Sequence, residues 1–511
     1  MSDWTEGYVT DTEYTFGYYG ELNPLRAALP LIKIGFSPGK IVTACELGYG
    51  QGVSINMHAA ASDVCWYGTD FNPAHAAFAR HLAERAGSDA RLFDDSFAEF
   101  CARPDLPEFD FIGLHGIWSW VSEENHRIIV DFVRRRLKIG GILYISYNTQ
   151  PGFLLTLPLR HLLTEYAETM GAAGHGTVAR IDAALEFADK LMELKPAFAT
   201  ANPGLAERLK YIKGQNRNYL AHEYFNRDWH ALPFAEMAKR LEPAKLTFAG
   251  SANYLDHIEG LNLMPEQRRF LAGIPDPLFR ESVRDFIINC QFRREYWIRG
   301  PRRLRPAEQA DAVRAQRIML VSRREDVLLT VAGALGRRQL SATIYDPILD
   351  ALGDGKARSI GDIERSVARA GMRLGTIVEA VLILAGKADI VFVQDEAAQA
   401  RAKPRTDRLN LALFERARGG AEVTFLASPL IGGGVNAGRF QHLAMLAIRH
   451  GSKTAAELAR FIWDILSRQG QRVTKDNKPL ETPEENLAEL ETQARDFLDK
   501  RLAILRRLKI V

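Results

Sequence analysis

Two stretches decide the fold: Ile41-Val-Thr-Ala-Cys-Glu-Leu-Gly-Tyr-Gly-Gln-Gly52, and Cys65-Trp-Tyr-Gly-Thr-Asp-Phe-Asn72 after it. Ile41 to Ala44 is short and apolar, as a strand buried in a parallel sheet should be. Gly48, Gly50 and Gly52 alternate behind it, so the chain can turn tightly and bring backbone N–H groups against a ligand with no Cβ between. A helix and a second strand follow, and the strand ends at Asp70. A carboxylate there can accept hydrogen bonds from two vicinal ribose hydroxyls.

A dinucleotide fingerprint wants Gly-x-Gly-x-x-Gly or Ala. Counted from Gly48 its last position falls on Val53, and from Gly50 on Ile55, so neither frame fits. The chain instead reads acidic-x-Gly-x-Gly-x-Gly from Glu46 to Gly52, which resembles the first motif of class I S-adenosylmethionine-dependent methyltransferases. The resemblance implies that Glu46 holds the methionyl ammonium and Asp70 the ribose. Gly48, Tyr49, Gly50 and Gly52 in the turn, with Phe71 and Asn72 beside Asp70, complete the expected cofactor cradle.

The pattern continues in both directions. Asn72-Pro73 opens a helix that Gly87 ends. Ala90 to Phe93 reads as a third strand closed by Asp94-Asp95-Ser96, where Asp95 and Ser96 are candidates for the adenine or for capping the next helix. Phe109 to Leu114 is a fourth strand running into His115-Gly-Ile-Trp-Ser-Trp-Val121, and Ser122 caps a helix to Arg136. Gly140-Gly141 leads to a fifth strand, Ile142 to Tyr147. Strands alternating with helices predict a doubly wound, mostly parallel Rossmann-like sheet, and ligands bind at the carboxyl ends of such strands. Upstream, residues 1–24 carry Trp4, Tyr8, Tyr14, Phe16, Tyr18 and Tyr19, either an arm packed on the core or aromatic walls for an acceptor.

Downstream, residues 153–243 read as a helical insertion, punctuated by Gly171 and Gly174 to Gly176, before a sixth strand (Lys245 to Ala252) and a seventh (Gln291 to Arg299). The expected organisation is a cofactor-binding core over 1–152, a lid over 153–243 and the remaining strands over 244–300. Two winged-helix-like α+β modules over 307–400 and 401–511 follow. The triple glycine Gly432 to Gly434 lacks a following Lys-Ser/Thr and is no P-loop.

A length of 511 residues exceeds one core, and 47% hydrophobic with 25% charged residues is an ordinary folded composition. A net charge of +3 gives no case for nucleic acid. Cys45, Cys65, Cys101 and Cys290 form neither a zinc pattern nor a disulfide framework, so no metal is expected. With no basic–apolar leader at Met1 and no apolar run of about 18 residues, the expectation is a cytoplasmic protein without a membrane span.

More narrowly, Tyr14 to Pro24, Glu46 to Gly52, Leu114 to Ser122, Tyr147 to Gly152 and Asn218 to Phe225 resemble bacterial methyltransferases with a methyltransferase regulatory domain, a group that includes the rickettsial protein-lysine methyltransferases. That resemblance implies an S-adenosylmethionine cofactor and, in the lysine-modifying members, a protein substrate (a surface or envelope protein is one candidate) and a homodimer. A small-molecule or glycan acceptor, or a non-catalytic binding module, are the alternatives. Asn148-Thr-Gln-Pro151 departs from the Asn/Asp-Pro-Pro-Tyr/Phe motif of many N-methyltransferases. An amine nucleophile needs to lose a proton, which aromatic walls favour by desolvation. Trp118, Trp120, Tyr14 and Tyr18 are the candidate walls. His115 is a candidate base or cofactor-orienting group, and His222 and Glu223 are candidates for base or acceptor contact.

Overall fold

The computed structural model describes residues 5, 7–12, 14–171, 176–368, 371–476 and 478–511. Trp4 and Gly174 lie outside them. Helix α1 (Pro24–Lys33) starts at Asn23, whose side chain accepts from Leu25 N–H. Strand β1 (Thr43–Leu47), α2 (Val53–Ala61), β2 (Cys65–Thr69), α3 (Pro73–Ala86), β3 (Arg91–Phe93), α4 (Phe97–Ala102), β4 (Phe109–Leu114), α5 (Glu123–Arg136) and β5 (Leu137–Asn148) then alternate. The insertion holds α6 (Leu157–Thr169), α7 (Thr177–Glu193), α8 (Ala197–Ala201), α9 (Gly204–Lys213) and α10 (Arg217–Tyr224). Then come α11 (Phe234–Leu241), β6 (Leu246–Ser251), α12 (Glu259–Asn262), α13 (Pro265–Ala272), α14 (Pro277–Ile288) and β7 (Phe292–Arg299).

The seven strands form one sheet in the order β3-β2-β1-β4-β5-β7-β6. β7 runs antiparallel to β5 and β6, and the pairings from β3 to β5 are parallel. This is the expected Rossmann-like methyltransferase architecture.

Two boundaries differ from the sequence reading. β1 starts at Thr43 rather than Ile41, because the Asp110 carboxylate accepts from the N–H groups of both Val42 and Thr43 at 2.9 Å and takes the place of a strand partner. β5 starts at Leu137 and carries Gly140, at φ +82°, and Gly141 inside it as an irregularity against β4.

The C-terminal half is not set apart by its own cores. A three-stranded antiparallel sheet (Arg317–Leu320, Arg358–Ser359, Ile390–Phe392) with helices Ala342–Leu352, Ile360–Ser366 and Leu374–Gly386 shares one core with Leu29, Ile32 and Tyr254. The expected boundary at 400/401 falls inside a single helix, Glu396–Arg416. That helix and the elements after it share a core with Val53, Met57, Ala60, Leu82 and Ala86 of α2 and α3. Helix α2 is therefore covered on two sides, by the sheet and by the C-terminal half. Every one of its residues is buried, which accounts for a helix with no charged face.

Among the described residues, no helix is long and apolar enough to cross a membrane.

Candidate active site

The carboxyl ends of β1 to β5 meet the N-terminal arm and α10 around two adjoining cavities. The first, about 820 Å³, is lined by Gly48, Gly50, Asp70, Phe71, Asp95 and Ser96, together with Tyr8, Tyr14, Gly116 and Trp120. The second, about 1030 Å³, is lined by His115, Tyr19, Asn148, Arg208, His222 and Glu223, and shares those same four walls.

The first cavity is built by backbone. Gly48, Gly50 and Gly52 hold φ of 71°, 58° and 70°. A Cβ on Gly48 would lie 2.4 Å from Ile117, and one on Gly50 2.8 Å from Tyr14. These two glycines keep the crevice open. Asp70 organises the turn: its Oδ2 accepts from Gly50 N–H at 2.9 Å, and its Oδ1 accepts from Asn72 N–H at 3.1 Å and lies 3.0 Å from His75 Nδ1. A carboxylate so held keeps an acceptor site on Oδ2 at the cavity it lines.

Glu46 sits below this wall in β1, flanked in register by Gly68 of β2 and Gly113 of β4. It is buried, and its Oε2 has no hydrogen-bond partner. Burial, then the charge of Asp70, pushes its pKa well up. A buried carboxyl with an idle oxygen is completed by a cation, and a primary ammonium of the cofactor fits that need. Asp95 lines the crevice while its Oδ2 pairs with Arg103 at 2.9 Å, and Ser96 lines it while capping α4. Phe71 lines it in edge contact with Tyr8.

Three expected cofactor residues have other tasks. The Tyr49 hydroxyl donates to Phe93 O at 2.6 Å and braces β3. Gly52 brings α2 against α3, since a Cβ there would meet Ala79 at 2.4 Å. Asn72 caps α3 through Ala74 N–H.

The second cavity is aromatic around one acid. Burial raises the Glu223 carboxyl to about 8, against the opposing pull of Asn148 and of Arg208. The Asn148 amide nitrogen is itself buried and has no partner within hydrogen-bond distance, so it faces Glu223 without closing on it. The Glu223 carbonyl accepts from the indole N–H of Trp120 at 3.3 Å and of Trp229 at 2.9 Å, which pins α10 to the core. His222 lies 3.2 Å from the Thr12 hydroxyl through Nε2, and packs on Tyr8 and Tyr14 at 5.5 and 5.0 Å between ring centroids. His115 is stacked on Tyr19 at 3.7 Å, and its Nδ1 is 2.7 Å from the Tyr144 hydroxyl. Burial drops the His115 pKa to about 4, so its imidazole is neutral near pH 7.

Two expected walls are corrected. Trp118 is fully buried, stacked on His126 at 4.1 Å in the core beneath β4, and faces neither cavity. Tyr18 points away, between His58 and Phe425. The arm is extended here, so adjacent side chains alternate, and Tyr19 takes the place on the chamber that Tyr18 was expected to fill. Arg208 and Tyr219 were not named as site residues: Arg208 comes from α9, which carries no motif, and Tyr219 from α10, whose Asn218 to Phe225 stretch pointed only to His222 and Glu223, and the folding of both helices over the strand ends brings them in.

A family model described as "Predicted methyltransferase regulatory domain" matches residues 216–299. A Synechocystis sp. protein, sll1526, is 40% identical over 512 aligned positions, covering 99% of each chain. The chain belongs to this family of methyltransferases. A Rickettsia prowazekii protein, RP789, is 27% identical over 256 residues, 48% of this chain and 44% of its own length. The solved structure of PKMT2 from Rickettsia typhi in complex with AdoHcy has the same fold at a TM-score of 0.68, with 15% identity and coverage of 97% and 99%. In this family member the matched segment is not a separate body. It runs from α10, with His222 and Glu223, through the last two strands of the catalytic sheet.

Proposed function

We propose that this methyltransferase uses S-adenosylmethionine to methylate lysine side chains of a protein. The observation that carries the reading is the pair of adjoining cavities: a crevice lined by a ribose-type acid, with an unpartnered buried acid in the strand behind it, opening past Tyr8, Tyr14 and Trp120 onto an aromatic chamber around Glu223. Glu46 would hold the cofactor's ammonium, Asp70 its ribose hydroxyls, and Asp95, Ser96 and Phe71 its base. When bound, the cofactor supplies an electrophilic methyl carbon.

The chain's own part is alignment and proton removal. A lysine ammonium entering the chamber meets Glu223 among phenol and indole rings. Desolvation lowers the amine's pKa and the acid's is already raised to about 8, so the proton passes readily from nitrogen to carboxylate. His115 and Tyr19, stacked at 3.7 Å, stiffen the wall against which the side chain lies. PKMT2, with its AdoHcy complex, supports the reading by likeness of fold. The assembly that fits is a homodimer, for which exposed Phe270, Phe279 and Phe286 on α13 and α14 supply uncovered apolar surface.

Calorimetry tests the cofactor half: S-adenosylhomocysteine should bind wild type and not Gly50→Asp, whose side chain would collide with Tyr14 at positive φ. Equal binding would overturn it. Labelled cofactor with a cell lysate, followed by peptide mass spectrometry, tests the acceptor half. Label on a small molecule and on no lysine would overturn that half alone.

A further inference from the structure

A third cavity, of about 1340 Å³, lies at the junction of the N-terminal arm, the three-stranded module and the C-terminal helices. Its apolar lining includes Leu25, Ile390, Phe392, Ile431, Val435 and Leu508, and its polar lining includes Arg26, Arg501, Asn436 and Gln441. Among the described residues, no aspartate or glutamate lines it.

Both arginines are under-used. The Nε atoms of Arg26 and of Arg501 are buried and without a hydrogen-bond partner. Arg26 leans on the Tyr254 ring at 4.6 Å, and Glu21, the carboxylate that feels its charge, is engaged by Arg294 at 2.7 Å. Arg501 donates one bond, from Nη2 to Asn436 O at 2.7 Å, and burial lowers its pKa with no acid opposing. It sits at the end of a π-helical turn, Phe497–Arg501, within the last helix of the chain, and such turns recur at functional sites. Arg26 shares the charge of Glu21 with Arg294, whereas Arg501 is held in a partly buried, mostly apolar cavity with no acid beside it, and an anion between the two guanidinium groups would supply the missing counter-charge.

We infer that this junction is a binding site for an organic anion with an apolar body, its carboxylate or phosphate head held by Arg26 and Arg501 and its hydrocarbon part against Ile390, Phe392, Val435 and Leu508. The triple glycine belongs to the same junction. A Cβ on Gly433 or Gly434 would lie 2.4 or 2.9 Å from Tyr18, so the hairpin of Phe425–Ser428 and Gly433–Asn436 closes on the arm only with glycine there. Asn23 fastens the contact by donating from Nδ2 to Ile431 O at 2.9 Å. Tyr18 lines this cavity while its neighbour Tyr19 lines the acceptor chamber, so one extended segment touches both. The inference stands on this cavity alone and does not depend on the methyl-transfer reading.

Calorimetric titration of the full chain with decanoate, decyl phosphate and neutral decanol tests it. Decanoate or decyl phosphate should bind, whichever head is preferred, and decanol at least tenfold more weakly. Arg501→Gln and Arg26→Gln should each weaken the preferred anion at least tenfold, while Arg501→Lys, which keeps the charge, stays within about threefold of wild type. Thermal melts identify any variant that fails to fold. Should one of the glutamine variants unfold, the comparison of anion with decanol and the Arg501→Lys result decide. Binding of decanol as tight as of the anions, unchanged affinity in the folded glutamine variants, or no anion binding at all would each overturn the assignment.

Discussion

The cofactor crevice and the acceptor chamber share four walls yet are made in opposite ways. The floor of the crevice comes from one continuous run, β1 to Ser96, in which backbone conformation and one acid, Asp70, set the shape, while the arm and the turn after β4 close it from above. The chamber is assembled from distant segments: the arm with Tyr8, Tyr14 and Tyr19, the ends of β4 and β5, insertion helices α9 and α10, and Phe292 of β7. Its shape is held by side chains, Trp120 and Trp229 on the Glu223 carbonyl and Tyr19 on His115. A site made from backbone is local and legible, whereas one made from side-chain contacts exists only once the whole chain has folded. Substitutions in the two should therefore separate cleanly.

The largest expected effect lies in the chamber. Glu223→Gln should lower methyl transfer by about 10²-fold or more, the scale of a lost general base, with the affinity for S-adenosylhomocysteine unchanged. The wild-type rate should climb with pH through about 8 as Glu223 ionises, and that limb should vanish in the variant. A parallel fall in cofactor affinity would erase the distinction between the two cavities.

Next, in the crevice, Asp70→Asn weakens both the turn and the ribose contact. Lost charge-assisted hydrogen bonds of about 1.5–3 kcal/mol predict roughly ten- to hundredfold weaker S-adenosylhomocysteine binding by calorimetry. An unchanged affinity would remove Asp70 from the site.

A smaller effect separates neighbouring tyrosines. Tyr19→Leu removes the stack on His115 and should cost several-fold in kcat/KM, whereas Tyr18→Phe should leave it within twofold. Equal losses would mean that the arm acts as one unit.

An acid effect on the whole fold stands apart from these site substitutions. Burial lowers His58, His115, His257 and His442 to about 4. Their unfolded pKa is about 6.5, so between those values the unfolded chain binds more protons and stability falls as pH falls. The loss is on the order of 1 kcal/mol per pH unit for each histidine. Melting temperatures from pH 7 to 4.5 check it. A flat profile would mean that these histidines titrate normally.

The sequence by itself determined the sheet, the glycine turn and the position of Asp70 at a strand end. Strand periodicity, positive-φ glycines and caps such as Ser122 and Asn72 act over a few residues, so their causes lie in the letters that show them. Only the tertiary structure decided which of Tyr18 and Tyr19 faces the chamber, since an extended arm puts neighbours on opposite sides and the packing of the C-terminal hairpin chooses between them. It likewise sent Trp118 into the core, left Trp120 on the chamber and joined the C-terminal half to α2. The arm and α2 depend on contacts with residues hundreds of positions away, and burial, which also takes in Trp118, has no local signature, unlike a turn or a cap.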